Sequence, residues 1–184
     1  MKWATCFLVL LTATPASVAQ EQPGSISPEA QDAIRLLEAK DAYIRRTGFM
    51  RLEALREPAA ALVVRRYLDN RNAETRAFAV RALAAIEGLR AIPVLAERLK
   101  QDRSAWVRLA VLLALEPFED PAVPPLLIER LRDRDPLVRM AAVDAVSRLE
   151  LPQAREAILT RWRRERHRDV QRVLQEALKR VGTP

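Results

Sequence analysis

Cysteine occurs once, histidine once and glycine four times in 184 residues, and aromatic side chains make up only 5%. Each shortage excludes something. One histidine and one cysteine, Cys6, cannot build a His-rich metal site, and once the N-terminal segment that carries Cys6 is removed no Cys/His nucleophilic pair remains. Four glycines leave no Gly-rich phosphate loop, and no serine sits in a nucleophile-elbow motif. The sequence therefore reads as a non-enzyme with no metal and no cofactor. A chain this poor in glycine and aromatics, and dominated by Ala, Leu and Arg, favours helices, because those side chains lose little rotamer freedom in a helix. Hydrophobic residues at 49% argue against disorder.

Positive charge is in excess. Lys and Arg number 31 against 24 Asp and Glu, a formal net charge of +7. The first residues, MKWATCFLVLLTATPASVAQ, place Lys2 before an apolar run from Trp3 to Leu11 and end in small residues, with Ser17 and Ala19 at the positions a signal peptidase reads. The run is too short to cross a bilayer, so residues 1–19 read as a cleaved signal peptide. The mature chain would be periplasmic, or secreted from a cell with a single membrane, with no transmembrane segment and no disulfide. Export also separates it from DNA and ribosomes, which makes nucleic acid an unfavoured partner. Residues 20–27 form a polar linker ending at Ser27, a good N-cap, and Pro28, a good first helical residue.

From residue 28 to 184 one cadence returns. RAFAVRAL from Arg76, RLAVLLAL from Arg108, RMAAVDAV from Arg139 and QRVLQEAL from Gln171 start 32, 31 and 32 residues apart. Val107, Ala110, Val111, Ala114 and Leu115 form one apolar helical stripe. Upstream of each copy a second helix aligns through Leu68, Leu99, Leu131 and Trp162, which predicts a core position for Trp162. A fifth, degenerate copy beginning at Asp41 aligns with Asp69 at a shift of 28, which puts Gly48 where the others carry Arg. Self-similarity at this period predicts an all-α fold, a right-handed α-solenoid of about five helical hairpins.

The pattern D-x-x-x-x-V-R-x-A, at Asp102 to Ala110 and Asp133 to Ala141, resembles short HEAT-like repeats of the kind found in phycobilisome lyases. The period is shorter than the about 40–47 residues of long HEAT units. The resemblance implies that turn acids Asp69, Asp102 and Asp133 and helix-opening Arg76, Arg108 and Arg139 bridge adjacent repeats. It also implies a surface for a protein partner.

Two surfaces are candidates for that role. The second helices carry Arg81, Leu109, Leu112, Leu113, Met140 and Asp144 outside the core stripe. Such a ridge either buries its apolar members between neighbouring repeats or exposes them to a partner. Leu113 is the sharpest probe, because its counterparts Arg81, Asp144 and Glu176 are charged. The other surface is RWRRERHRD, where Arg161, Arg163, Arg164, Arg166, His167 and Arg168 either solvate the end of the stack or bind an acidic surface or anionic lipid. The polar final helix, with Arg172, Gln175 and Glu176, reads as a cap.

Overall fold

A computed structural model describes residues 26–149 and 152–182; the expected signal peptide and most of the linker lie outside this range. The described residues form ten α-helices: α1 (Pro28–Leu37), α2 (Ala42–Leu55), α3 (Ala61–Arg66), α4 (Ala73–Glu87), α5 (Ile92–Gln101), α6 (Ala105–Leu115), α7 (Val123–Arg130), α8 (Pro136–Ser147), α9 (Pro152–Trp162) and α10 (Arg168–Gly182). Consecutive helices pair into five hairpins. The second helices α2, α4, α6, α8 and α10 stack on one another in a continuous layer. This is an all-α HEAT-like fold.

Local chemistry starts the helices where the sequence places them. Ser27 caps α1 by accepting from the Ala30 N–H, and its own N–H and hydroxyl donate to Glu57 in the loop after α2. Asp41, Asn72 and Asp135 cap the second helices of their hairpins, each accepting from N–H groups in the first turn. With Ser104 at the same position before α6, though without a side-chain cap bond, these residues fix the register at 41, 72, 104 and 135. The first hairpin therefore aligns with the second at a shift of 31, not 28. Matching acid to acid, Asp41 with Asp69, gives the shift of 28, whereas the residue that caps the second hairpin's helix is the amide Asn72.

At this register Gly48 corresponds to Ala79, Val111 and Ala142, all core positions. A Cβ on Gly48 would lie 2.7 Å from the Ala33 carbonyl oxygen and 2.7 Å from Leu37 Cδ2. Glycine is what lets α1 lie so close against α2. The core runs the length of the stack, from Ala30 and Phe49 through Leu83, Leu99 and Leu127 to Leu174.

Candidate functional site

The turns inside the hairpins are tied together by a ladder of arginines. Arg108, near the start of α6, donates through Nε and Nη2 to both oxygens of Asp133 in the next turn, at 2.8 and 2.6 Å. Its Nη1 donates to the carbonyls of Asp102 and Arg103 in its own turn. Arg76 repeats this with Asp102 at 2.8 Å for both bonds, and Arg139 with Glu165 at 2.8 and 3.1 Å. Each acid also accepts a backbone N–H two residues on, from Ser104, Asp135 and His167. One residue thus shapes its own turn and receives the arginine of the preceding repeat.

Burial pushes the carboxyls of Asp102 and Asp133 up, but hydrogen bonds from Arg76 and Arg108 and from the turn N–H groups hold both below the usual carboxylate range. Burial likewise opposes ionisation of Glu165, and bonds from Arg139, the His167 N–H and Arg161 override it to bring the carboxyl to about 2. The guanidinium values of Arg76 and Arg108 rise, first through their acid partners.

Asp69 is not a rung. The ladder position is occupied by Asn70, whose side chain accepts the Asn72 N–H; Asp69, 78% exposed, still bridges to the next hairpin by accepting from Arg98 of α5 at 2.5 Å. With no acid at 70, the first-repeat arginine, Arg45, holds the Ala39 and Lys40 carbonyls and reaches Thr75 Oγ1 instead. Arg45, not Gly48, is therefore the counterpart of Arg76. Glu165, which nothing in the Asp-based motif signalled, closes the ladder.

The second-helix ridge contains an apolar groove of about 640 Å³ between α4 and α6. Small residues of α4, Ala77, Ala84 and Ala85, make its floor, and Trp106, Leu109, Leu113 and Phe118 stand along its other side. Trp106 is 58% exposed and Leu113 53%, so the groove opens to solvent. Its rim is basic on the α2 side. Arg81 pairs with Glu53 at 2.9 Å, Arg46 lies over the Phe78 ring at 5.2 Å, and Arg56 ends α2 in the left-handed conformation.

The groove thus brings together Arg81, Leu109 and Leu113 from the sequence candidates. Met140 and Asp144 fall outside it, in a shallower hollow shared with α10. Leu112 is fully buried and is no part of any exposed surface. Its equivalents Phe49, Val80 and Val143 are buried too, because this position faces the next second helix in the stack. Gln175, the equivalent in α10, is exposed, as the end of a stack requires. Trp106 escaped the sequence reading. Its signal was available: an indole at the same helical position as Glu74 and Asp169.

The C-terminal cluster divides. Arg161 donates to Glu165 and belongs to the ladder's end. Arg163, Arg164, Arg166, His167 and Arg168 are exposed, with Arg168 opening α10. Trp162 is 41% exposed and not in the core, although Leu68, Leu99 and Leu131 at its register are buried: the larger indole ends a helix beside the outermost turn. Among the described residues no group of three His, Cys, Asp or Glu side chains could hold a metal, and no helix is long and apolar enough to cross a membrane.

A family model described as HEAT repeats matches residues 31–116 and again 98–179. No curated relative matches the chain. Among solved structures, a chain from the complex of CpcE and CpcF of phycocyanin lyase from Nostoc sp. PCC7120 superposes with a TM-score of 0.61 at 21% identity, covering 80% of this chain and 96% of that one. An engineered protein superposes with a TM-score of 0.52 at 19% identity, covering 83% of this chain and 79% of that one. At these identities the likeness is one of fold.

Proposed function

Since the chain belongs to the HEAT-repeat family, we propose that it is an exported, non-catalytic adaptor that docks a protein partner in the groove between α4 and α6. The observation that carries this reading is the groove itself. Trp106 and Leu113 hold large, half-exposed apolar side chains beside an alanine floor, where covering the exposed half would gain roughly 1 kcal/mol per side chain. Tryptophan is enriched among residues that dominate binding energy at interfaces. The partner's chemistry follows from the rim: an amphipathic helix or extended segment that seats apolar side chains on Ala77, Ala84 and Ala85 and sets acidic residues against Arg46, Arg56 and Arg81. The fold relative from phycocyanin lyase occurs in a two-chain complex, which accords with a partner for this one. The signal-like N-terminus supports export, to the periplasm or outside the cell.

The test is cross-linked capture of the partner from envelope extract with the wild-type chain and with Leu113→Glu. Leu113 is half-exposed, so the substitution leaves folding intact while placing a charge in the groove. A single dominant protein that survives a high-salt wash and disappears with Leu113→Glu supports the reading. Equal capture by both chains refutes it.

A further inference from the structure

In the last three hairpins the turn carboxylates point inward and the turn cations point outward. Asp102, Asp133 and Glu165 are buried against Arg76, Arg108 and Arg139. The residue after each is an exposed arginine: Arg103, Arg134 and Arg166. A second row, Lys100, Arg132 and Arg163, lies two or three residues earlier at the same turns and is exposed as well. Among the described residues none of these six cations pairs with a carboxylate; Arg134 donates only to the carbonyls of Arg103 and Asp102. Between the third and fourth turns four of them line a hollow of about 430 Å³. The acids nearby have partners of their own: Glu129 pairs with Arg130 and Asp135 caps α8, while Asp169 stands exposed 3.9 Å from Arg172.

Stacked helices lie about 8–10 Å apart, close to the Debye length of about 8 Å at physiological salt, so these cations repel one another. A mixed-sign edge would be solvated equally well without that repulsion. The same edge also exposes large apolar side chains. Leu137, in the first turn of α8, is 62% exposed, and Trp162 ends α9 beside the fifth turn.

We propose that this edge is a docking surface for an anionic lipid bilayer. The two rows of cations would lie against the headgroups, and Leu137 and Trp162 would enter the interfacial zone, where indole rings are favoured. A soluble linear polyanion would be met by the cations alone, leaving the apolar pair without a role, and so is the less favoured ligand. The surface is distinct from the α4–α6 groove and does not depend on it; the variants below leave every groove residue in place.

The experiment measures binding of the chain, as purified from expressing cells, to phosphatidylglycerol-containing and to purely zwitterionic vesicles. Tryptophan emission and sedimentation are the readouts. Arg103→Gln/Arg132→Gln/Arg166→Gln is compared with Arg51→Gln/Arg90→Gln/Arg155→Gln, which removes the same charge away from the edge. Circular dichroism checks that both fold. The edge variant should bind anionic vesicles about a hundredfold more weakly, at about 1 kcal/mol per cation, and the control about as well as wild type. Trp162→Ser should abolish part of the blue shift that accompanies binding. Equal losses in the two triple variants would overturn the proposal, as would a failure to prefer anionic vesicles. Long-chain polyphosphate bound more tightly than vesicles, without a Trp162 shift, would assign the edge to a soluble polymer instead.

Discussion

Replacing Asp133 by alanine removes the acceptor of the most deeply buried rung. The side chains of Arg108 and Asp133 are each 3% exposed, and two charge-assisted bonds join them. As an intact pair they contribute little net stability, since desolvation offsets most of the attraction. Removing one partner is different, because the Arg108 guanidinium remains buried with only two backbone carbonyls to receive it. Such a change costs about 3–5 kcal/mol. The Asp135 N–H also loses its acceptor, which keeps the expected loss near the upper end. With a urea slope of about 2 kcal/mol/M, the unfolding midpoint should fall by about 2 M. Asp69→Ala is the internal control: it removes an exposed acid and should cost about 0.5 kcal/mol or less. Urea titrations followed by circular dichroism on the two variants decide it. If Asp133→Ala and Asp69→Ala lose the same small amount, the buried ladder does not hold the repeats together.

Four further outcomes follow from the same geometry. Because the Glu165 carboxyl is held at about 2, against an ordinary value of 4.5, its stabilising contribution is present above about 4.5 and is lost as pH falls toward 2. Asp102 and Asp133 act in the same direction. Thermal melts across that acid range should show Glu165→Gln flattening the decline, at the price of lower stability at neutral pH. Leu112→Ala should cost about 2–5 kcal/mol and Leu113→Ala close to nothing, a contrast between adjacent residues that chemical denaturation reads directly. Gly48→Ala should destabilise by about 1–3 kcal/mol although alanine is the better helix former, because the new Cβ meets a backbone carbonyl. Arg45→Gln should lower the urea midpoint far less than Asp133→Ala, since no buried carboxylate is left behind.

The hairpins from Arg76 onward were legible because all of them repeat the apolar stripe and two of them repeat the V-R-x-A opening, at Val107 and Val138. The first hairpin was not. Its arginine lies in YIRRTGF, where Arg45 and Arg46 are equally plausible, and a glycine replaces the small core residue three positions later. Only the cap at Asp41 fixes the register. Periodicity put Leu112 and Leu113 alike outside the core stripe and left open which is buried, since a helical stripe drawn for one neighbour ignores the second neighbour on the other side. The groove depends on volume differences between α4 and α6, alanine facing leucine and tryptophan. These appear in no single helix and had to be read across the stack. Glu165 escaped because the family pattern expects aspartate, while the longer side chain also reaches Arg161.

The last rung has a consequence for how long such a chain can grow. Gln171 stands where an arginine would look for the acid of a sixth turn, and its amide donates to the Glu165 carbonyl without bringing a charge. The stack therefore carries a terminator made of one neutral side chain. A module of 31 or 32 residues duplicated between Arg76 and Glu165 would find an arginine before it and an acid after it, and would splice in with both ends matched. The same module appended beyond α10 would meet an amide in place of a guanidinium, against a helix face already dressed for water. Length in this architecture is editable from the middle and closed at the end.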